Sequence, residues 1–288
     1  LFKKSNGGRQ EKMKAIQMMV QNELSLRKAL GYAGWSRCAY YYEPRRRTIN
    51  PDAAVMQKIE DVALERPSFG TRRMAAMLSR DLGRPVNRKQ VQRIFRILGW
   101  IEPSMSKGEI IRALANPLLP TRPYELWEGD MTYIWCGVDH WCYLFNVLDV
   151  FDRVWIGYAF DTQARSENAI MSVNNALVTC KGIDVSKLTL RVDNGSQYTS
   201  RKFIESMKAL GVRVEHIFAN TPEQNGHMES FHGKLKREYI WVNEFRNYQE
   251  AEVAISKAFI DYNEKRPHSS LGYKTPYEFL SEWRLTHS

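Results

Sequence analysis

The chain is poor in the features that mark a secreted, metal-stapled or membrane-spanning protein. Its four cysteines, Cys38, Cys136, Cys142 and Cys180, form no CxxC pair and have no histidine at zinc-ligand spacing. That pattern indicates neither a structural zinc nor a disulfide framework. Long hydrophobic runs are also missing. The longest apolar stretch, Trp141 to Val150, is too short and too interrupted for a membrane span, and the first residues carry no apolar signal core. Low-complexity tracts are absent, and 43% hydrophobic with 26% charged residues are ordinary globular values that exclude wholesale disorder. A reduced cytoplasmic compartment is the expectation. The 288 residues suit two domains, and the opening Leu1 in place of Met fits a trimmed or downstream-frame product.

Acidic residues are scarce in the first part of the chain. Residues 1–126 hold 24 Lys+Arg against 11 Asp+Glu, a balance of +13, and residues 127–288 hold 18 against 21, or −3; together these give the net +10. A basic first half joined to a slightly acidic second half is the pattern of a polyanion grip attached to something that does other work. The division expected is 1–50, 51–100, a basic Pro-containing linker over 101–126, and 127–288.

In the first segment Ile16, Met19 and Val20 form an apolar stripe at helical spacing, Leu24-Ser25-Leu26 opens a second helix, and Ser36 suits the N-cap of a third. A helix-turn-helix and a plain helical hairpin both fit this stretch. The second segment is more specific. Asp52 to Glu65 is amphipathic, Gly70-Thr71 opens a helix through Leu82, and Asn87 caps a last helix ending at Gly99. In that helix Val91, Ile94, Phe95 and Leu98 share one face, which leaves Arg88, Lys89, Gln92, Arg93 and Arg96 outside. Cations on phosphates and Gln or Arg on base edges are what major-groove docking requires. Arg72, Arg73 and Arg80 on the preceding helix add to the same surface. The linker suits either a phosphate track or a passive spacer.

The second half switches to strands: from Asp130 through Cys136, Trp141 to Val150, and Val154 to Phe160. A helix capped by Ser166 follows, then a strand over Leu188 to Val192, a helix over Ser200 to Leu210, a strand over Val212 to Ile217, and a helix over Gln224 to Tyr239. Three antiparallel strands followed by alternating helices and strands is the RNase H-like order: an α/β fold with a mixed five-stranded sheet and flanking helices, here preceded by all-α helix-turn-helix modules. Trp127, Tyr133, Trp135, Trp141 and Trp155 are expected in the core, and Asp149 and Asp152 in turns.

Asp130 is expected at the start of the first strand and Asp193 immediately after the fourth. Glu229 lies in the helix containing NGHMESFHGKLKRE, on a stripe with His232 and Lys236 beside the apolar stripe Met228, Phe231 and Leu235. Glu229 and Lys236 are two turns apart, roughly 10.5 Å. Three converging carboxylates repel unless cations neutralise them. Two divalent ions about 3.5 to 4 Å apart would do so, and oxygen-only ligands favour Mg2+ with Mn2+ as a substitute.

From Asp193 to Glu229 is 36 positions, so 35 residues intervene, and Lys236 follows seven after the Glu. The second half therefore resembles the DDE catalytic core of retroviral integrases and bacterial transposases. It is most similar to the insertion-sequence-three family through WEGDMTYI, RVDNGSQYTS, TPEQNGHMESFHGKLKRE, YNEKRPHSSLGYKTP and the long block from Phe69 to Trp100. The resemblance covers roughly residues 20 to 285. It implies Asp130, Asp193 and Glu229 as catalytic metal ligands, and a transposase that nicks the 3′ ends of an element and joins them to target DNA without a covalent protein intermediate. It further implies terminal inverted repeats as the bound DNA, a dimer or larger assembly, an upstream-frame partner or fusion, and a place at the prokaryotic nucleoid. Lys236, His232, Asn225 and Arg266 join the candidate DNA contacts, with N-capping accounting for Asn225 almost as well and fold closure an equal account of Arg266. A ribonuclease H-type nuclease and a non-catalytic DNA-binding repressor are the competing readings.

Overall fold

A computed structural model describes residues 9–42, 52–101, 120–217 and 226–287; Asn225 lies outside them. The chain divides into two compact units, residues 1–50 and 51–288.

In the first unit α1 (Arg9–Gln21), α2 (Leu26–Ala33) and α3 (Arg37–Tyr41) close on a small core of Ile16, Ala29 and Leu30. Ser36 caps α3 by accepting from Ala39 N–H. Val20 is exposed, contrary to the stripe read from sequence, because this short core is already filled by α2.

The second unit begins with α4 (Ala53–Glu65), α5 (Thr71–Asp81) and α6 (Arg88–Ile97). Asp52 and Asn87 supply the N-cap acceptors that α4 and α6 need. Val55, Ile59, Met74, Leu78, Val91 and Ile94 fill the space between the three helices.

After residue 120 come β1 (Leu126–Trp135), β2 (Trp141–Asp149), β3 (Trp155–Asp161), α7 (Ser166–Thr179), β4 (Thr189–Val192), α8 (Ser196–Thr199), α9 (Arg201–Leu210) and β5 (Arg213–His216). The strands form one mixed sheet in the order β3-β2-β1-β4-β5, with β1–β2 and β2–β3 antiparallel and β1–β4 and β4–β5 parallel. This is the RNase H-like arrangement expected from the element order. Strand β1 starts at Leu126, so Asp130 sits in mid-strand and not at its beginning. Leu126 to Gly129 pair with β4 on one side, and Trp127 to Trp135 pair with β2 on the other. Ser166 is the first residue of α7 and makes no cap.

The sheet is covered on both faces. Trp127, Val192 and Leu190 meet α7 and α9 on one side. On the other, Ile134, Leu144 and Trp155 meet α10 (Gly226–Leu235) and α11 (Tyr248–Glu264), and α12 (Pro276–His287) closes the chain. A π-helical turn, Lys236–Ile240, continues α10.

Of the five aromatics expected inside, Trp127 and Trp155 are buried, but Tyr133, Trp135 and Trp141 are about half exposed. Strand alternation puts 127, 133 and 135 on one face, and beyond Gly129 that end of β1 pairs only with β2. The hairpin tip therefore projects past its neighbours.

At Gly157 a Cβ would stand 2.5 Å from Ser172 O and 2.6 Å from Ala176 N, both backbone atoms of α7. Gly157→Ala must push that helix off β3. A loss of about 1–3 kcal/mol is expected from such overpacking, read as a lowered denaturant midpoint. An unchanged midpoint would mean that α7 is free to shift.

Candidate active site

Parallel pairing of β1 with β4 sets Gly129 opposite Val192 and Glu128 opposite Arg191. Asp130 and Asp193, the next residues along, are thereby level on neighbouring strands spaced about 4.8 Å apart. Their direction follows from the pleat. A Cβ on Gly129 would meet Val192 and Leu190 side chains on the α7–α9 face, so Glu128, Asp130, Arg191 and Asp193 point to the opposite face, where α10 lies. Just past β4, Asp193 Oδ1 accepts from Gly195 N–H at 2.9 Å, and Asn194 Nδ2 donates to Ile217 O at 2.8 Å. The tight NG turn thus ties the acid to the end of β5.

Helix α10 presents Glu229 over this row. Met228, Phe231 and Leu235 are buried in the core, and Glu128 Oε2 accepts from Met228 N–H at 3.2 Å, fixing the helix's first turn to β1. Glu229 follows directly and is exposed.

Asp130 is the electrostatic centre of the cluster. Burial first, and then the nearby Asp193 and Glu229 carboxylates, push it up to about 7, against the hydrogen bond from Met131 N–H and the Lys236 charge, which lower it. Lys236 stands 4.7 Å over the Tyr133 ring and is lowered by burial while Asp130 raises it.

His232 faces Asp130 and is not a surface contact. Burial, then the Lys236 charge, hold it at about 3, so the ring is neutral. Asn146, paired with Asp130 in the β1–β2 register, donates from Nδ2 to His232 Nε2 at 3.1 Å. That leaves the ring proton on Nδ1, 3.5 Å from Asp130 Oδ2. The ring is thus largely enclosed, with its Nδ1 facing Asp130.

Two cations are likewise turned inward. Arg266 is 1% exposed and donates to both oxygens of Glu238, at 2.6 and 2.8 Å. Arg73 reaches the same carboxylate at 2.8 Å. A guanidinium enclosed this way must be paired, and Glu238 supplies that pairing within the fold, in keeping with the fold-closure account of Arg266. Arg73 is committed to the same lock. Arg72, Arg88, Lys89, Arg93 and Arg96 are exposed, and Gln92 is half-buried.

Several contributors escaped the sequence reading. Glu128 is pushed up to about 7 by burial, against the lowering effect of Arg191, which lies 3.7 Å away across the register. Asn146 and Tyr198 are also buried, the tyrosine with its hydroxyl unpartnered among the described residues and raised by burial and then by Asp130 and Asp193. The signal available for the first pair was strand periodicity: Glu128 and Arg191 each lie two residues before a candidate acid.

The donor set is oxygen-only and carries excess negative charge that raises Asp130, which suits a hard divalent cation. Among the described residues, no three His, Cys, Asp or Glu side chains close on one point tightly enough to hold a metal. The acids stand as neighbours on three elements, not as a finished cage.

Residues 51–105 match the family described as HTH-like domain, and residues 120–222 and 210–276 match two families described as integrase core domain. The chain is 30% identical over 275 residues, 95% of its own length and 96% of the relative's, to the insertion element IS407 uncharacterized 31.7 kDa protein of Burkholderia multivorans. It is 29% identical over 252 residues, 84% of the chain and 83% of the relative, to transposase InsD for insertion element IS2D of Escherichia coli. The HTLV-2 integrase catalytic core domain, solved in complex with magnesium, superposes with a TM-score of 0.43 at 18% identity, covering 55% of this chain and 97% of that one.

Proposed function

This chain belongs to the insertion-element transposases that carry an integrase core domain, and from that premise we propose that it cuts the 3′ ends of its element and joins them to target DNA. It is a polynucleotidyl transferase of the DDE type. Asp130, Asp193 and Glu229 are assigned as the catalytic acids. The observation that carries the reading is the strand register that levels Asp130 with Asp193 beneath the helix bearing Glu229.

In the first step water attacks the phosphorus at the element end and the 3′ oxygen leaves with a proton. In the second, the freed 3′-OH attacks a target phosphodiester and displaces the target's own 3′ oxygen. Each step exchanges one P–O bond for another. The three acids would hold two Mg2+ ions, or Mn2+ in their place, which when bound supply charge stabilisation to the attacking and leaving oxygens. Met131 N–H and His232 orient Asp130, and Lys236 supplies positive charge beside the scissile phosphate.

Exposed Arg72, Arg88, Lys89, Arg93 and Arg96, with Gln92, would bind the terminal inverted repeats through the helix-turn-helix of residues 51–100; residues 101–126 would link it to the catalytic part, 127–288. Asn225 is assigned to the DNA end. Two ends must be brought together, so a dimer or larger assembly is expected, with an upstream-frame segment as partner or fusion, at the bacterial nucleoid. Among the described residues no helix is long and apolar enough to cross a membrane.

The test is incubation of the protein with labelled element-end duplex, target DNA and Mg2+, read for 3′ nicking and strand joining. Neither product appearing would end the proposal, and a preference for RNA–DNA hybrid would redirect it to a nuclease.

A pH dependence follows from Asp130. Its folded value of about 7 lies above the ordinary 3.8, so the folded state holds the proton more tightly than the unfolded one. That stabilisation is full below about pH 4 and is lost as pH rises through about 7. The metal-free protein should therefore lose Tm between about pH 5 and pH 8, and Mg2+ should recover more of it at the higher pH than at the lower. Equal Mg2+ effects at both pH values would contradict the assignment of Asp130.

A further inference from the structure

Helix α10 has a second polar stripe. His227, Ser230 and Lys234 recur at i, i+3 and i+7, on the flank nearly opposite Glu229, His232 and Lys236. They border a cavity of about 300 Å3, completed by Arg153 and by His268 to Ser270 from the loop after α11. A neighbouring cavity of about 340 Å3 is lined by Arg72, Arg73 and Arg88 of the helix-turn-helix and shares Ser269 with the first.

Among the described residues, no carboxylate lines either cavity. Of the acids around the cations, Glu238 is held by Arg73 and Arg266, Glu128 by Arg191 and Met228 N–H, and Asp149 by Tyr124 and Phe151 N–H, while Asp152 accepts from Val154 N–H through Oδ1. Glu128, Asp149 and Asp152 all act on Arg153 through charge, but none of them hydrogen-bonds its Nη1. Arg153 Nη1 is buried and has no hydrogen-bond partner among the described residues. Among the described residues, Lys234 Nζ meets His268 Nε2 at 3.5 Å, and the other nitrogen of that ring is bonded to Ser270. Burial and the surrounding cations lower Lys234 to about 8. A buried guanidinium nitrogen with a free donor beside a lysine, with hydroxyls at the mouth, is half of an anion site.

We propose that the two cavities, joined at Ser269, form a track for successive phosphates of a DNA backbone, leading from Arg88 at the start of α6 past Ser269 to Lys234 and Arg153. The assignment rests on the reading of this chain as a DNA-acting enzyme. It adds a second contact line to α10, separate from the acids. DNA backbone is favoured over a free phosphate because Arg88 belongs at once to the cavity and to the cationic outer face of α6.

The track is tested by the salt dependence of full-chain binding to element-end duplex. Each phosphate contact contributes about 0.9 to the slope of log K against log salt. Lys234→Gln and Arg153→Gln should each lower the slope by about one and weaken binding several-fold at low salt. Lys234→Arg should retain both slope and affinity. Lys202→Gln, at the remote Lys202–Glu167 pair on α9 and α7, should change neither. Unchanged slopes in both Gln variants, with Arg93→Gln still lowering the slope, would overturn the track and leave the DNA-acting reading standing. Lys234→Arg losing as much as Lys234→Gln would make the site one of packing, which also overturns it. A parent chain that binds no duplex would sink both.

Discussion

Asp130→Asn should abolish nicking and joining together, with a fall of roughly 10^3-fold or more if several kcal/mol of charge stabilisation is lost, and it should do so without unfolding the protein. Asparagine keeps the acceptor for Met131 N–H and roughly the same volume beside His232. What it removes is the charge that the other two acids and burial make costly to hold. Its Tm near pH 8 should therefore equal or exceed that of the parent in the absence of metal. Asp149→Asn should behave in the opposite way. That carboxylate is fully buried at the end of β2 and accepts from Tyr124 N–H, Phe151 N–H and the Trp127 indole. Weakening those bonds should lower Tm while leaving the DNA chemistry of the folded fraction intact. The pair of measurements, product formation and Tm, separates a catalytic acid from a turn acid. Full activity of Asp130→Asn would remove Asp130 from the mechanism.

The largest stability loss is expected at Glu238. Its carboxylate lies in the π-helical turn after α10 and is gripped by Arg266 from the loop after α11 and by Arg73 from α5. Glu238→Ala leaves Arg266 buried and uncompensated, and breaking one partner of a buried pair costs about 3–5 kcal/mol. Arg73→Met should cost less, since that side chain is 25% exposed and can turn to water. Urea titration distinguishes the two: the midpoint should fall steeply for Glu238→Ala and modestly for Arg73→Met. Equal small losses would mean that Arg266 finds another acceptor. The same triad ties α5 to the catalytic part, as do Arg66 with Asp261 and Arg80 with Glu278. The helix-turn-helix cations left for DNA are therefore those on the outer faces of α5 and α6.

Much of the fold was legible because it is local. Ser36 and Asn87 cap the helices they were expected to cap, the apolar stripe of α6 packs as its spacing requires, and the five strands occur in the expected order. Misreadings came where a neighbour distant in sequence decides the outcome. Ser166 has the chemistry of a cap, yet α7 starts at it. Trp135 and Trp141 have the composition of a core, yet they stand on a hairpin tip that only β1 and β2 share.

For the site itself, the sequence by itself determined which three acids to consider, through the 35-residue interval and the order of blocks, and that Glu229, His232 and Lys236 share a helix stripe. Those are relations along one chain segment, set by the rise and pitch of strand and helix. Only the tertiary structure decided that Gly129 pairs with Val192, which levels Asp130 with Asp193, and that His232 turns inward to Asp130. It also decided that Arg266 is spent on Glu238 while Arg153 Nη1 has no partner among the described residues. Strand register and the pairing of buried charges depend on which remote residues meet across the sheet and around α10, and no local periodicity encodes that meeting.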